Sequence, residues 1–235
     1  DKFFFFKEYT MLIPKGFLFS TVEAAIKKAG RKDIALIYSE REAVMAGMFT
    51  TNKIKAAPVR LDAKLIKKGK GQAIIVNSGN ANACNGKHGL RDAMEIAELT
   101  ANALGLKTDN VYVCSTGVIG TPMPMERIRP KIIELAENLG KSPIDDVARA
   151  IMTTDAFPKA ISRRLRIDGR SVIISGICKG AGMICPNMAT MLCFIMTDLN
   201  IDKRILHKAL KDAVEKSFNR ITIDGDMSTN DTVLM

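Results

Sequence analysis

An α/β or α+β fold, with helices packed on mixed β-sheets, is what this sequence predicts. Three observations point there. Short apolar strands alternate with amphipathic helices along the chain. Apolar residues make up 47% of the 235 residues, enough for a sizeable core in one large domain or two small ones. No internal repeat, low-complexity stretch or long linker interrupts them.

The elements follow in order. Ile34–Tyr38 and Ala43–Phe49 read as neighbouring strands joined through Ser39-Glu40-Arg41-Glu42. Ala73–Val76 and Val111–Cys114 read as buried strands that end in polar loops. A helix is expected over 90–104, with Leu90, Met94, Ala97, Ala101 and Leu104 on one face. A second runs from about Pro124 to Leu139, with Gly140 as its stop and Pro130 as the place for a kink. Ser142-Pro143-Ile144-Asp145 resembles a capping box that opens a third. The run from Met191 to Met196 reads as a buried strand. The clearest helix is 201–218, with Ile205, Leu206, Ala209, Leu210, Ala213, Val214 and Phe218 on one side. His207 lies among them and reads as a boundary residue, not a ligand. Asp224–Asp231 is a loop, and Thr232-Val233-Leu234-Met235 begins a strand. A domain rarely stops four residues into an apolar strand, so the chain is expected to be the N-terminal part of a longer protein.

Composition excludes several classes. Net charge is +10, with basic groups at Lys27, Lys28, Arg31 and Lys32, at Lys64, Lys67, Lys68 and Lys70, and at Arg163, Arg164 and Arg166. These read as solvated faces. No aromatic residues interleave them for stacking, so nucleic acid is not an expected partner. A bias towards anionic ligands, such as a carboxylate substrate or coenzyme A, is the consequence drawn. Five cysteines without a repeating pattern fit reduced thiols in a cytoplasmic protein. Cys178, Cys185 and Cys193 have no zinc-ligand spacing and there are two histidines, so no metal is expected. No apolar run reaches the roughly 18 residues of a membrane span. Phe3–Phe6 is too short for a signal segment.

Thr190 carries the most informative context. It follows Lys179-Gly180-Ala181-Gly182-Met183-Ile184-Cys185-Pro186-Asn187-Met188-Ala189, where a loop becomes a strand. A threonine hydroxyl is weakly nucleophilic until a base sits beside it, and an N-terminal threonine supplies one as its own α-amine. That amine titrates near 7.7–8.0 and exists only after the chain is cut before it. Gly180 and Gly182 can take backbone angles other residues avoid, and can bring N–H groups towards an oxyanion. Pro186 restricts Cys185 to extended geometry. On residue types alone, the string also describes a glycine turn feeding a core strand.

Ser115-Thr116-Gly117-Val118-Ile119-Gly120 follows a buried strand. A hydroxyl beside a glycine N–H makes a competent pair of oxyanion donors, although a plain strand-end turn has the same composition. Thr153-Thr154-Asp155-Ala156-Phe157-Pro158-Lys159 reads as a helix-end turn with a capping aspartate, and Lys179 as a loop charge. Asn77-Ser78-Gly79-Asn80-Ala81-Asn82-Ala83-Cys84 is a tight polar turn. Phe49-Thr50-Thr51-Asn52-Lys53 through Ala56-Ala57-Pro58-Val59 reads as structural.

Taken in order, these strings resemble the ornithine acetyltransferase family, the glutamate N-acetyltransferases of arginine biosynthesis. The resemblance runs from about Ile13 to Met235 and leaves residues 1–12 as an extraneous or disordered N-terminus. It implies a four-layer αββα sandwich, of a type shared with self-cleaving aminopeptidases. It implies self-cleavage between Ala189 and Thr190, giving an α chain over 13–189 and a β chain from 190 that pair as α2β2. Thr190 is then the nucleophile, Thr116 and Gly117 the oxyanion hole, and Thr153, Thr154, Lys179 and Thr190 the substrate-binding residues. Of the two threonines Thr154 is favoured for the substrate contact. The implied reaction moves acetyl from N2-acetyl-L-ornithine to L-glutamate without a cofactor, and some members accept acetyl-CoA. The alternatives are an N-terminal-nucleophile hydrolase of the same architecture and an inactive fragment. One departure is Met227, which stands where a threonine is expected. The family's substrate-contacting glutamate and its C-terminal Asn and Ser/Thr have no counterpart here.

Overall fold

The structure, a computed structural model, describes residues 11–183 and 191–235. Nine strands and five helices are assigned among them: β1 Phe17–Val22, β2 Ile34–Val44, β3 Gly47–Phe49, α1 Ala57–Leu65, β4 Lys70–Asn80, α2 Gly86–Leu104, β5 Val111–Val118, α3 Met125–Glu137, α4 Ile144–Ala150, β6 Lys159–Ile167, β7 Arg170–Lys179, β8 Leu192–Thr197, α5 Lys203–Lys216 and β9 Thr232–Leu234. They form two sheets, ordered β1-β2-β4-β5 and β3-β9-β8-β7-β6.

Strand alternation makes the layers. In the first sheet Ala35, Ile37, Ile74, Val76, Tyr112 and Cys114 point into one apolar seam, where Ile177, Leu192, Phe194, Met196 and Leu234 of the second sheet meet them. Their neighbours Ile34, Leu36, Ala73, Ile75, Val111 and Val113 point the other way, onto Ile96, Ala97 and Ala101 of α2 and Ile128, Ile132 and Leu135 of α3. The far face of the second sheet, with Met191, Cys193 and Val233, takes Leu206, Leu210 and Val214 of α5. Three seams between four layers are the αββα sandwich. Strands apolar on both faces follow from covering each sheet twice.

Several expectations need correction. Ser39–Glu42 is no turn. β2 runs through it, with a register irregularity between Tyr38 and Ala43. Gly47–Phe49 pairs with β9 in the other sheet, so it is not a neighbour of Ile34–Tyr38. The polar stretches after Val76 and Cys114 stay in the ladder, with Asn77 opposite Ser115 and Ser78 opposite Thr116. On α2 the buried face is Ala93, Ile96, Ala97, Thr100 and Ala101, while Met94 is exposed. α3 continues through Pro130. No capping box opens α4: Pro143 holds the cap position, and Ser142 Oγ bonds Thr21 Oγ1 at 2.9 Å instead. On α5 only Leu206, Leu210 and Val214 are buried, four residues apart; Ile205, Ala209 and Ala213 are exposed, as is His207. β1 and the β6–β7 hairpin have no counterpart in the sequence reading.

One buried acid gives a pH test. Asp62 of α1 accepts from Val113 N at 3.1 Å and Cys114 Sγ at 3.8 Å, tying α1 to β5. Burial raises its pKa well above the ordinary value, and those two bonds only partly oppose it. Its folded pKa therefore exceeds the unfolded one, near 3.9. Stability is fullest below the unfolded value and falls as pH rises through the folded one. A tenfold change in proton affinity corresponds to about 1.4 kcal/mol. The Tm of Asp62→Asn relative to wild type should thus climb as pH rises above about 4. A difference that stays flat over that range would show that Asp62 exchanges no proton on unfolding.

Candidate active site

β4 and β5 run parallel, so their carboxyl ends meet at one edge of the first sheet. Ligand crevices form at such ends, where backbone groups run out of strand partners. In the second sheet Lys179 closes β7 opposite Leu192, which opens β8 beside Thr232 of β9. A cavity of about 500 Å³ lies between these ends. Thr116, Gly117, Thr153, Thr154 and Lys179 all line it, together with Arg31 and the loop residues Ser228, Thr229 and Asn230. Five residues singled out from separate stretches of sequence therefore share one cavity. Thr190, Ala189 and the Cys185-Pro186 pair lie outside the described residues.

Lys179 is the centre of a polar cluster. It is 3% exposed, and its Nζ donates to Thr153 Oγ1 at 2.7 Å and Thr116 Oγ1 at 3.2 Å. Asp155 Oδ2 stands 4.0 Å away. Burial pushes the Lys179 pKa down, with Lys159 adding to the fall while Asp155 and Asp231 pull it back. Asp155 accepts from Lys159 Nζ and Gly180 N, both at 2.7 Å, and from Thr153 N at 3.3 Å. Burial works against its charge, but these donors and Lys179 outweigh it and hold the pKa below the ordinary range. Gly180 thus spends its N–H on Asp155, not on an oxyanion. Among the described residues of this loop the left-handed one is Met183, φ 59, and neither Gly180 nor Gly182. Of the paired threonines, Thr153 is tied to Lys179, while Thr154 is exposed on the cavity wall.

The edge is built by the asparagine-rich turn, which takes a structural role. Asn77 Nδ2 donates to Asn80 O at 2.9 Å, and Ser115 Oγ donates to Asn77 Oδ1 at 2.6 Å. Asn230 Nδ2 spans both strands, reaching Ala81 O at 2.6 Å and Ser115 O at 2.8 Å. The loop carrying Asn230 is pinned in turn by Thr50 Oγ1 on Ser228 O and Asn52 Nδ2 on Met227 O, both 2.8 Å. At Met227 itself the contact is sulfur: Thr51 Oγ1 lies 3.6 Å from Sδ.

Three further residues were not read as site residues. Arg31 is half-buried, not part of a solvated face. Its Nη2 caps the end of α4, at 2.8 Å from Met152 O and 3.2 Å from Arg149 O and Ala150 O. Asp155 was visible only as a turn cap. Asp231 is 1% exposed; its Oδ1 accepts from Met191 N at 2.9 Å, and its Oδ2 has no hydrogen-bond partner among the described residues. Burial raises its pKa to about 7, with the Met191 N–H, the neighbouring Ser228 hydroxyl and the Lys179 charge pulling the other way. The Met191 amide it holds is the bond that joins Met191 to Thr190.

The ArgJ family matches residues 18–235. The chain belongs to that family. The arginine biosynthesis bifunctional protein ArgJ of Geobacter sulfurreducens is 54% identical over 221 residues, which are 94% of this chain and 56% of that one. Its counterpart in Caldanaerobacter subterraneus is 51% identical over 223 residues, 95% of this chain and 55% of the relative. The chain thus spans a little over half the length of these relatives. Among solved structures, an ornithine acetyltransferase from Mycobacterium tuberculosis, complexed with ornithine, superposes with a TM-score of 0.68 at 36% identity. The match covers 74% of this chain and 92% of that one. An L-aminopeptidase D-Ala-esterase/amidase from Ochrobactrum anthropi, a variant of the Ntn hydrolase fold, gives 0.56 at 12% identity over 94% of this chain and 71% of that one, a likeness of fold alone. No helix among the described residues is long and apolar enough to cross a membrane.

Proposed function

We propose that this chain carries the acetyl-transfer site of a self-cleaving acetyltransferase in arginine biosynthesis. The Thr190 hydroxyl attacks the Ala189 carbonyl, the acyl group shifts from the amide nitrogen to the hydroxyl oxygen, and water hydrolyses that ester, leaving a carboxylate on Ala189 and a free α-amine and hydroxyl on Thr190. Its freed α-amine then serves as the base when its hydroxyl takes acetyl from N2-acetyl-L-ornithine. L-Glutamate resolves the acetyl-threonine ester, and acetyl-CoA is an alternative donor. Thr116 and Gly117 stabilise the oxyanion in both reactions. Thr153 and Thr154 border the space for substrate. The complete protein works as an α2β2 pair of chains, in the cytoplasm, without metal or cofactor.

One observation carries this reading: Thr116, Gly117, Thr153, Thr154 and Lys179 converge on one cavity, in a member of the ArgJ family. The relative lengths support the cut. The M. tuberculosis chain is covered almost entirely by about three-quarters of this one, whereas the curated relatives are far longer than either.

A covalent acetyl-threonine requires ornithine to leave before glutamate enters. N2-Acetylornithine alone, mixed with the complete protein and quenched rapidly, should add one acetyl mass to the chain that begins at Thr190. Double-reciprocal plots should run parallel. Intersecting plots with no adduct would mean direct transfer in a ternary complex. Free acetate in place of acetylglutamate would make the protein a hydrolase.

A further inference from the structure

We propose that Asp231 is the proton carrier of self-cleavage. Its carboxylate takes the proton of the Thr190 hydroxyl as that oxygen bonds to the Ala189 carbonyl carbon. It then gives the proton to the Thr190 nitrogen as the carbon–nitrogen bond breaks. This step leaves an Ala189 ester on the threonine oxygen, a free α-amine and Asp231 again a carboxylate; water then hydrolyses the ester. The inference rests on the reading of Thr190 as the nucleophile. The need for such a group comes from the chemistry. In the cut protein the base is the threonine's own α-amine. In the uncut chain that nitrogen is an amide, whose lone pair is delocalised into the carbonyl, so it takes up no proton at the start of the attack. Another group beside residue 190 has to.

Asp231 stands there. Its Oδ1 accepts the Met191 N–H at 2.9 Å, and the Thr232 N–H next to it in sequence donates to Met191 O at 3.1 Å. Thr50 N in turn holds Asp231 O at 2.9 Å. The Met191 nitrogen is bonded to the Thr190 carbonyl carbon, and covalent geometry keeps the Thr190 hydroxyl within about 5 Å of it in every rotamer. Carboxylate and hydroxyl are thus neighbours of one amide. The carboxylate is buried, and its Oδ2 has no partner among the described residues. An unpaired buried oxygen is costly, and a base needs a lone pair kept free. Burial raises the Asp231 pKa to about 7, where a carboxyl group both accepts and returns a proton at neutral pH. Lys179 is the charged group whose field reaches it and works against that rise; the Met191 N–H and the Ser228 hydroxyl are neutral donors acting the same way. The other acid near Lys179 is not free: Asp155 has both oxygens engaged, by Lys159, Gly180 N and Thr153 N, and its pKa is held below the ordinary range.

The test is the rate at which the complete precursor, made by cell-free synthesis, splits at each pH, followed by intact mass. The wild-type rate should rise with pH through about 7, as the base loses its proton, and level off by about pH 9. Asp231→Asn keeps an oxygen for the Met191 N–H but has no basic group. It should split at least about a hundredfold more slowly, with no inflection near pH 7, while melting at or above the wild-type temperature. A purely structural carboxylate predicts the reverse, a lower Tm with the inflection intact. The proposal is overturned if the asparagine form splits at the wild-type rate, or splits slowly with the wild-type inflection. It is overturned without any variant, and so even if the asparagine form does not fold, by a wild-type rate that is flat across this range or that climbs with hydroxide and never levels off. Splitting of Thr190→Ala would instead remove the reading of the nucleophile beneath it.

Discussion

Thr190→Ala should leave the complete protein as a single chain and abolish acetyl transfer. Removing the nucleophile of a hydrolase typically lowers kcat by about 10⁶, so the expected residual activity is at or below detection. The hydroxyl is needed twice. It must attack the preceding carbonyl to cut the chain, and it must carry the acetyl group afterwards. The residue next to it is already held: Asp231 Oδ1 accepts the Met191 N–H at 2.9 Å, and Leu192 is locked opposite Lys179. Met191 and Leu192, which follow Thr190 in sequence, are therefore fixed at the start of β8, beside the Lys179 that lines the cavity. Thr190→Ser keeps the hydroxyl and should still be cut. Intact-mass analysis reads both results. Two chains from Thr190→Ala would assign the cut to another group, and an acetyl adduct persisting in that variant would move the nucleophile elsewhere.

The layers were legible where hydropathy is periodic. Ile34–Tyr38, Ala73–Val76, Val111–Cys114 and Met191–Met196 are runs apolar on both faces, and all four fall in strands, three of them central and Val111–Cys114 at the edge of its sheet. β1 was not, because two of its six residues are buried polar groups satisfied at a distance: Ser20 Oγ on Leu135 O at 2.7 Å, and Thr21 on Ser142. β6 is almost wholly exposed and carries Arg163, Arg164 and Arg166, so its only strand signal is the pairing with β7. Asn77–Asn80 and Ser115–Gly117 read as loops since polar runs usually are. Parallel pairing and asparagine cross-bonds keep them in the sheet instead.

The candidate site divides the same way. Thr116, Gly117, Thr153, Thr154 and Lys179 were found through the strings around them, and the fold brings all five together. Arg31 and Asp231 act through backbone groups distant in sequence, at Arg149–Met152 and at Met191, and nothing local marks them. Lys179 is the instructive case. Sequence showed a charge in a glycine-containing loop; its burial, and the two hydroxyls it holds, exist only once β5, β7 and the turn after α4 have met.

Gly117→Ala should be the most damaging conservative change at the site. Gly117 has φ +138, a region that residues with a Cβ rarely enter. A Cβ there would stand 2.3 Å from Gly79 C, 2.5 Å from Asn80 N and 2.6 Å from Gly79 O. All three are backbone atoms of β4, so no side-chain rotation relieves the overlap. Either the end of β5 peels from β4 or the fold is strained, and clashes of this kind lie in the tail above about 4 kcal/mol. For a chain of this size that corresponds to a Tm lower by roughly 8–16 °C. Peeling would also carry Thr116 and the Gly117 N–H away from the cavity, so cleavage and transfer should fall together. Gly79→Ala is the control. Gly79 also has a positive φ, +105, but a Cβ there would come no closer than 3.1 Å, to Lys27 Cβ, with Ile26 Cγ2 and Lys27 N at 3.2 Å. It should therefore cost less. A Gly117→Ala protein that melts and cleaves like wild type would show that the two strand ends are not packed this closely.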